Sequence, residues 1–257
     1  SFKLTGEIYS SSDIRFDKIA GNINKFEYLN YPYSEITIRE GEFKHNRFKG
    51  RVEVNDPYLT LVYDGSVDFS NKHKMDFEVF IRKSDLDRLN LSDLNSHLVS
   101  NMKVNLSGKN LNSYTGFIEF DAFDYTVDDQ TFHMDDFKLT IERGLEDKFS
   151  ITGSAGTAEI AGKFKTDQLI NNFHYQFSQI FPSLYGDRAA NYSTDAIDYF
   201  TYKAEFITPN NLVQLFYPEL EIAPHTRING NYNGSESMFK LNVYSDSIRY
   251  KEMKFDS

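Results

Sequence analysis

Along almost its whole length the chain alternates, with apolar side chains on one parity and polar ones on the other, and the pattern restarts after each cluster of turn-forming residues. A period of two is the signature of extended backbone, in which residues i, i+2 and i+4 share a face. Phe2, Leu4 and Ile8 alternate with Lys3, Thr5 and Glu7. Phe48, Val52 and Val54 stand opposite Lys49, Arg51 and Glu53, and Leu59, Leu61, Val67 and Phe69 stand opposite Thr60, Asp64, Ser66 and Asp68. Met75, Phe77, Val79 and Ile81 face away from Asp76, Glu78 and Arg82. The same reading covers Met102, Val104 and Leu106, then Phe137, Leu139 and Ile141, then Ala158, Ile160 and Phe164, and finally Phe239, Leu241 and Val243.

These strands are amphipathic. Parallel strands buried under helices on both faces would read as unbroken Val/Ile/Leu runs, so the pattern predicts an antiparallel sheet with one wet face. Turn residues agree: "YDGS" at 63–66, "NDP" at 55–57, "ERGLED" at 142–147 and "NGNYNGS" at 229–235 read as hairpins. Helical spacing is clear once. Leu169, Phe173, Phe177 and Ile180 or Phe181 recur at i, i+4 and i+8 behind a Thr166-Asp167 cap, up to Pro182, and predict an amphipathic insertion over 166–181. Short turns are expected at 84–90 and at 210–216.

Twenty-three Phe and seventeen Tyr with no Trp strengthen the β assignment, since aromatic side chains pack well on a pleated surface. So few helices cannot cover one face of a dozen strands. That face must be hidden in a closed barrel, in a two-sheet sandwich, or inside one long sheet curled on itself, and composition does not separate the three. A filled barrel or sandwich implies a module that binds protein or glycan through its polar surface. A curled open sheet leaves an apolar trough, with the 166–181 helix at its mouth or end.

Several chemistries are excluded. The formal charge of −10 argues against a nucleic-acid partner, whose phosphates need a basic face. The absence of cysteine removes disulfides, thiolate metal sites and a thiol nucleophile. His45, His73, His97, His133, His174 and His225 stand singly, without ligand spacing for a metal. The "GTAEIAG" of 156–162 lacks the GK[ST] ending of a phosphate loop and reads as a strand. There is no GxSxG, and the adjacent acids Asp128-Asp129 and Asp135-Asp136 read as solvated loop residues. Neither an enzyme nor a cofactor is expected. No apolar run reaches the roughly 18 to 20 residues of a membrane-spanning helix. Because the chain opens within one alternating run and stops within another, it reads as a segment of a longer protein.

Residues 21–70 and 116–165 share an order of features: Gly21 with Gly116, Tyr31 with Tyr125, Gly50 with Gly153, and Gly65 with Gly162. A repeated β module favours one elongated body over 1–257, although Gly-punctuated strands also resemble one another by chance.

The run "EFKHNRFKGRVEVNDPYLTLVYDGSVDFS", then "DFEVFIRKSDLDRLNLSD" and "ITGSAGTAEIAGKFKTDQL", resembles the periplasmic part of TamB-like proteins of the AsmA-like group, over roughly residues 42–170. No one of these strings is diagnostic; their order carries the resemblance. It implies an all-β chain curled into a U-shaped groove (a β-taco), lined by Phe48, Val52, Val54, Leu59, Leu61, Val67, Phe69, Phe77, Val79, Ile81, Val104, Leu106, Phe137, Leu139, Ile141, Ile160, Phe164, Phe239, Leu241 and Val243, with Phe173, Phe177 and Phe181 as a groove cap. It further implies phospholipid acyl chains as ligand, an Omp85-family outer-membrane barrel as partner, and an inner-membrane anchor outside this segment. The expected setting is the periplasm of a Gram-negative bacterium, with a role in lipid transport and outer-membrane assembly. Asp246-Ser247-Ile248 fits a short bacterial O-glycosylation pattern, too brief to weigh.

Overall fold

The computed structural model describes residues 2–10, 13–128, 130–169, 171, 175, 198–208, 213, 219–236, 238–251 and 253–256. The fold is all-β and is dominated by a fifteen-stranded antiparallel sheet that is not closed. The chain divides into two compact units, Ser1–Gly108 with Gly116–Lys138, and Lys109–Thr115 with Leu139–Ser257.

The first unit holds β1 (Phe2–Ser10), β2 (Asp13–Ile23), β3 (Phe26–Tyr28), β4 (Tyr31–Tyr33), β5 (Ile36–Lys44) and β6 (Arg47–Asp56). It continues with β7 (Leu59–Asp68), β8 (His73–Ser84), β9 (Ser96–Gly108), β10 (Thr115–Val127) and β11 (Gln130–Met134). Their order in the sheet is β1-β2-β5-β6-β7-β8-β9-β10, with β11 also paired to β10, while β3 and β4 form a separate hairpin. β12 (Phe137–Glu142) leads into the second unit, where β13 (Asp147–Gly153), β14 (Gly156–Lys163), β15 (Tyr199–Phe206), β17 (Thr226–Asn233) and β18 (Met238–Tyr244) lie in the order β12-β13-β14-β15-β17-β18. β16 (Leu220–Ile222), β19 (Ser247–Tyr250) and β20 (Met253–Asp256) form a small sheet of their own.

Turn chemistry sets the register. Between β5 and β6, His45 and Asn46 take φ of 50° and 61°, and Lys44 faces Arg47, which is a two-residue turn of the handedness that suits the strand twist. The "NDP" of 55–57 ends β6, and Asp56 pairs with Leu59 across Pro57 and Tyr58. "ERGLED" likewise joins β12 to β13. "YDGS" does not turn: it lies inside β7, where Gly65 faces Gly50 on one side and Phe77 on the other. A side chain there would put a Cβ 2.4 Å from the Phe77 Cα, at a φ of +146° that L-residues avoid. The glycine at 65 therefore serves close strand approach, a need the sequence expresses in the same letters as a turn. Of the other paired glycines, Gly153 faces Gly156 and Gly162 faces Asp147.

Each unit has its own core. In the first, Tyr33, Ile36, Val54 and the fully buried Leu89 pack with Ile23, Tyr31, Val52, Tyr58, Leu59 and Leu61. Leu89 comes from the turn expected at 84–90: Leu89 N–H donates to the Asp85 carbonyl at 3.1 Å and Leu91 N–H to the Leu86 carbonyl at 2.8 Å, with Asn90 at a φ of 58° ending the turn. In the second, Phe164, Leu169, Phe200 and Tyr232 pack with Phe149, Ile160, Tyr202 and Phe239. Residues 166–169 are helical. The rest of the helix expected over 166–181, with Phe173, Phe177 and Phe181, and most of the turn expected at 210–216 lie outside the described residues.

Candidate functional site

In the first unit the strand registers align the alternating residues into cross-strand rows on one face. One row runs Ile23, Ile36, Val54, Leu61, Ile81 and Ser100. The next runs Gly21, Ile38, Val52, Tyr63, Val79 and Met102, and a third Gly50, Gly65, Phe77 and Val104. The fourth runs Phe16, Phe43, Phe48, Val67, Met75 and Leu106. Across the glycine-poor and glycine-bearing rows, the rings of Phe48, Tyr63 and Phe77 follow one another at centroid distances of 6.3 and 5.2 Å. Burial pushes the Tyr63 phenol up to about 12, with the Asp64 carboxylate adding to it, and its hydroxyl is buried without a hydrogen-bond partner among the described residues. The other face is charged. Arg39 meets Glu53 at 3.2 Å, Arg51 reaches Glu53 and Asp64 at 3.0 and 3.3 Å, and Lys103 reaches Glu78 at 3.2 Å.

One end of this apolar face is closed by the β3–β4 hairpin and the 85–91 turn, tied together by the Asn90 side-chain amide donating to the Leu29 carbonyl at 2.9 Å. Asp56 is the anchor. Its carboxylate, 3% exposed, accepts from the Tyr31 hydroxyl at 2.5 Å, the Ser34 amide and hydroxyl at 2.9 and 2.8 Å, and the Tyr58 amide at 2.9 Å. Burial alone would raise its pKa, but the hydrogen bonds from Tyr31, Tyr58 and Ser34 outweigh it and hold the carboxyl below the usual carboxylate range. The Tyr31 phenol is raised in turn, by burial and by the anion it serves.

The second unit also aligns alternating residues into cross-strand rows. Ile151, Ala158, Ala204, Ile228 and Val243 form one row, and Phe149, Ile160, Tyr202, Gly230 and Leu241 the next. Beyond them Phe200, Tyr232 and Phe239 lie side by side. Tyr202 stacks on Phe239 at 5.8 Å, and a Cβ on Gly230 would fall 2.6 Å from the Tyr202 ring, so that glycine makes room for the tyrosine. Arg143, in the "ERGLED" turn, fixes the surrounding loops. It pairs with Asp147 at 2.7 Å, donates to Thr166 Oγ1 at 2.6 Å and to the Leu111 carbonyl at 3.1 Å, and lies over the Phe149 ring at 4.8 Å.

Of the twenty apolar residues expected to line a groove, Val54, Val104, Leu106 and Phe164 are buried, Phe69 and Val243 are 61% and 42% exposed, and the other fourteen are partly buried. Phe69 stands just past the end of β7, with its amide on the Asn46 carbonyl at 2.8 Å. Phe137 contacts Phe120 at 5.8 Å, and Leu139 and Ile141 follow it in β12. Ile36 and Ile38 are face residues that the alternation reading left out, although their spacing about Thr37 was there to mark them, whereas Tyr63, Phe200 and Tyr232 carried no signal beyond parity. Comparison with protein-family models, with curated proteins and with solved structures finds no match to this chain.

Proposed function

We propose that this chain is a non-enzymatic, TamB-like lipid-bridging scaffold whose sheet curls into a groove that holds phospholipid acyl chains. The observation that carries the reading is the set of largely apolar rows, interrupted only by Ser100 and three glycines in the first unit, whose residues are mostly half-buried. A sealed core drives such side chains to near-complete burial, whereas a face that receives a mobile apolar ligand leaves them part-covered. The charged rows behind that face suit a water-filled compartment, which on this reading is the periplasm of a Gram-negative bacterium. The partners belong to the same proposal: an Omp85-family barrel, and the inner membrane through a segment outside these residues.

Mass spectrometry of lipids extracted from the purified protein tests it. Acyl lipid is expected to accompany the wild type and the Glu78→Asp variant, and to be lost from Phe77→Asp, whose charge would sit among the apolar rows. A wild type that is lipid-free and takes up no fatty-acyl probe overturns the reading in favour of a module acting through its polar face.

A further inference from the structure

β11 lies off the main strand path, paired to the outer half of β10. In that pairing His133 stands directly opposite Asp124, Tyr125 opposite Phe132, and Thr126 opposite Thr131. The His133 ring is engaged at both nitrogens. Nδ1 meets Asp124 Oδ1 across the strand pair, and Nε2 meets Asp135 Oδ1 at 2.9 Å, just where β11 gives way to β12. A neutral imidazole has one N–H and cannot donate to two carboxylates, whereas an imidazolium donates to both. The charged groups that act on this ring are Asp124 and Asp135, both carboxylates, so its surroundings favour the cation. Next along β11 is Phe132, only 3% exposed.

We propose that His133 is a proton-operated latch that holds β11 against β10. Protonated, it bridges the two strands and the break after β11. Deprotonated, it surrenders one of its two bonds and leaves two carboxylates about a single neutral ring, so the outer hairpin opens more often and Phe132 gains access to solvent. The hydrogen bonds to Asp124 and then Asp135 raise the His133 pKa above its ordinary value, which places the transition on the alkaline side of a free histidine. The sign follows: the latch is fully closed below the unfolded-state pKa and is lost as pH rises through the higher folded-state value.

Two-dimensional NMR of the intact chain tests this. His133 ring resonances are expected to titrate above about 6.5. Through the same interval, amide exchange at 130–134, corrected for its intrinsic pH dependence and referenced to β13 and β14, should quicken by about tenfold for each unit by which the measured pKa exceeds that value. Asp124→Asn should bring the titration back toward the free value and flatten the exchange step, while β13 and β14 stay protected as evidence of folding. A wild-type His133 that titrates at or below 6.5, or β11 protection that stays flat while His133 titrates, overturns the latch.

Discussion

Asp56 shows how a single polar residue sets the end of an apolar face. Four donor contacts converge on a carboxylate with almost no solvent, so each of its lone pairs is used and the charge is stabilised where burial opposes it. Replacing Asp56 with alanine strands the Tyr31 hydroxyl and the Ser34 and Tyr58 amides, and is expected to cost about 3 kcal/mol in a urea titration. Because the folded-state pKa is depressed, the stabilisation is complete above the unfolded value near 3.9 and disappears as pH falls through the lower folded value. Acid unfolding of the wild type should therefore show a step below about pH 4 that Asp56→Asn lacks. In the sequence this residue was legible only as the middle of a turn. Its partners Tyr31 and Ser34 lie more than twenty positions away, a separation that no local pattern reports.

The strands themselves were readable because alternation is enforced by burial: β6, β7, β8 and β9 carry the expected residues on the expected parity. The failures at this scale share a cause. "YDGS" was read as a turn because Gly and Asp favour positive φ, yet Gly65 answers to the closeness of Phe77, which is set by a neighbouring strand. The closure of one end of the first unit was invisible for the same reason. Leu89 is one leucine in a polar turn, and only tertiary packing against Tyr33, Ile36 and Val54 makes it a plug. Leu89→Ala should lower stability by about 3 kcal/mol, at the level of a core cavity rather than a loop change. A loss under 1 kcal/mol by chemical denaturation would mean that the turn packs loosely.

At the scale of the whole molecule, all-β architecture and antiparallel pairing followed from the sequence, whereas the failure of the sheet to close and its curvature did not, because alternation fixes which face is apolar and says nothing of how the face bends or whether its edges meet. Unequal protection follows from the strand order. Among the described residues β1 and β18 have a sheet neighbour on one side only, while β7 and β14 are flanked on both. Hydrogen exchange should show β1 and β18 as the least protected long strands of their units, with slow exchange concentrated in β7, β8, β14 and β15. The order also bears on how the chain folds. From β5 to β10 every strand pairs with the one that follows it, so each new hairpin closes a short loop onto an edge already in place. Sheets of this size built from distant pairings fold slowly, because the long loops must close first. Here assembly is able to advance strand by strand like a zipper, at a pace set by the slowest turn.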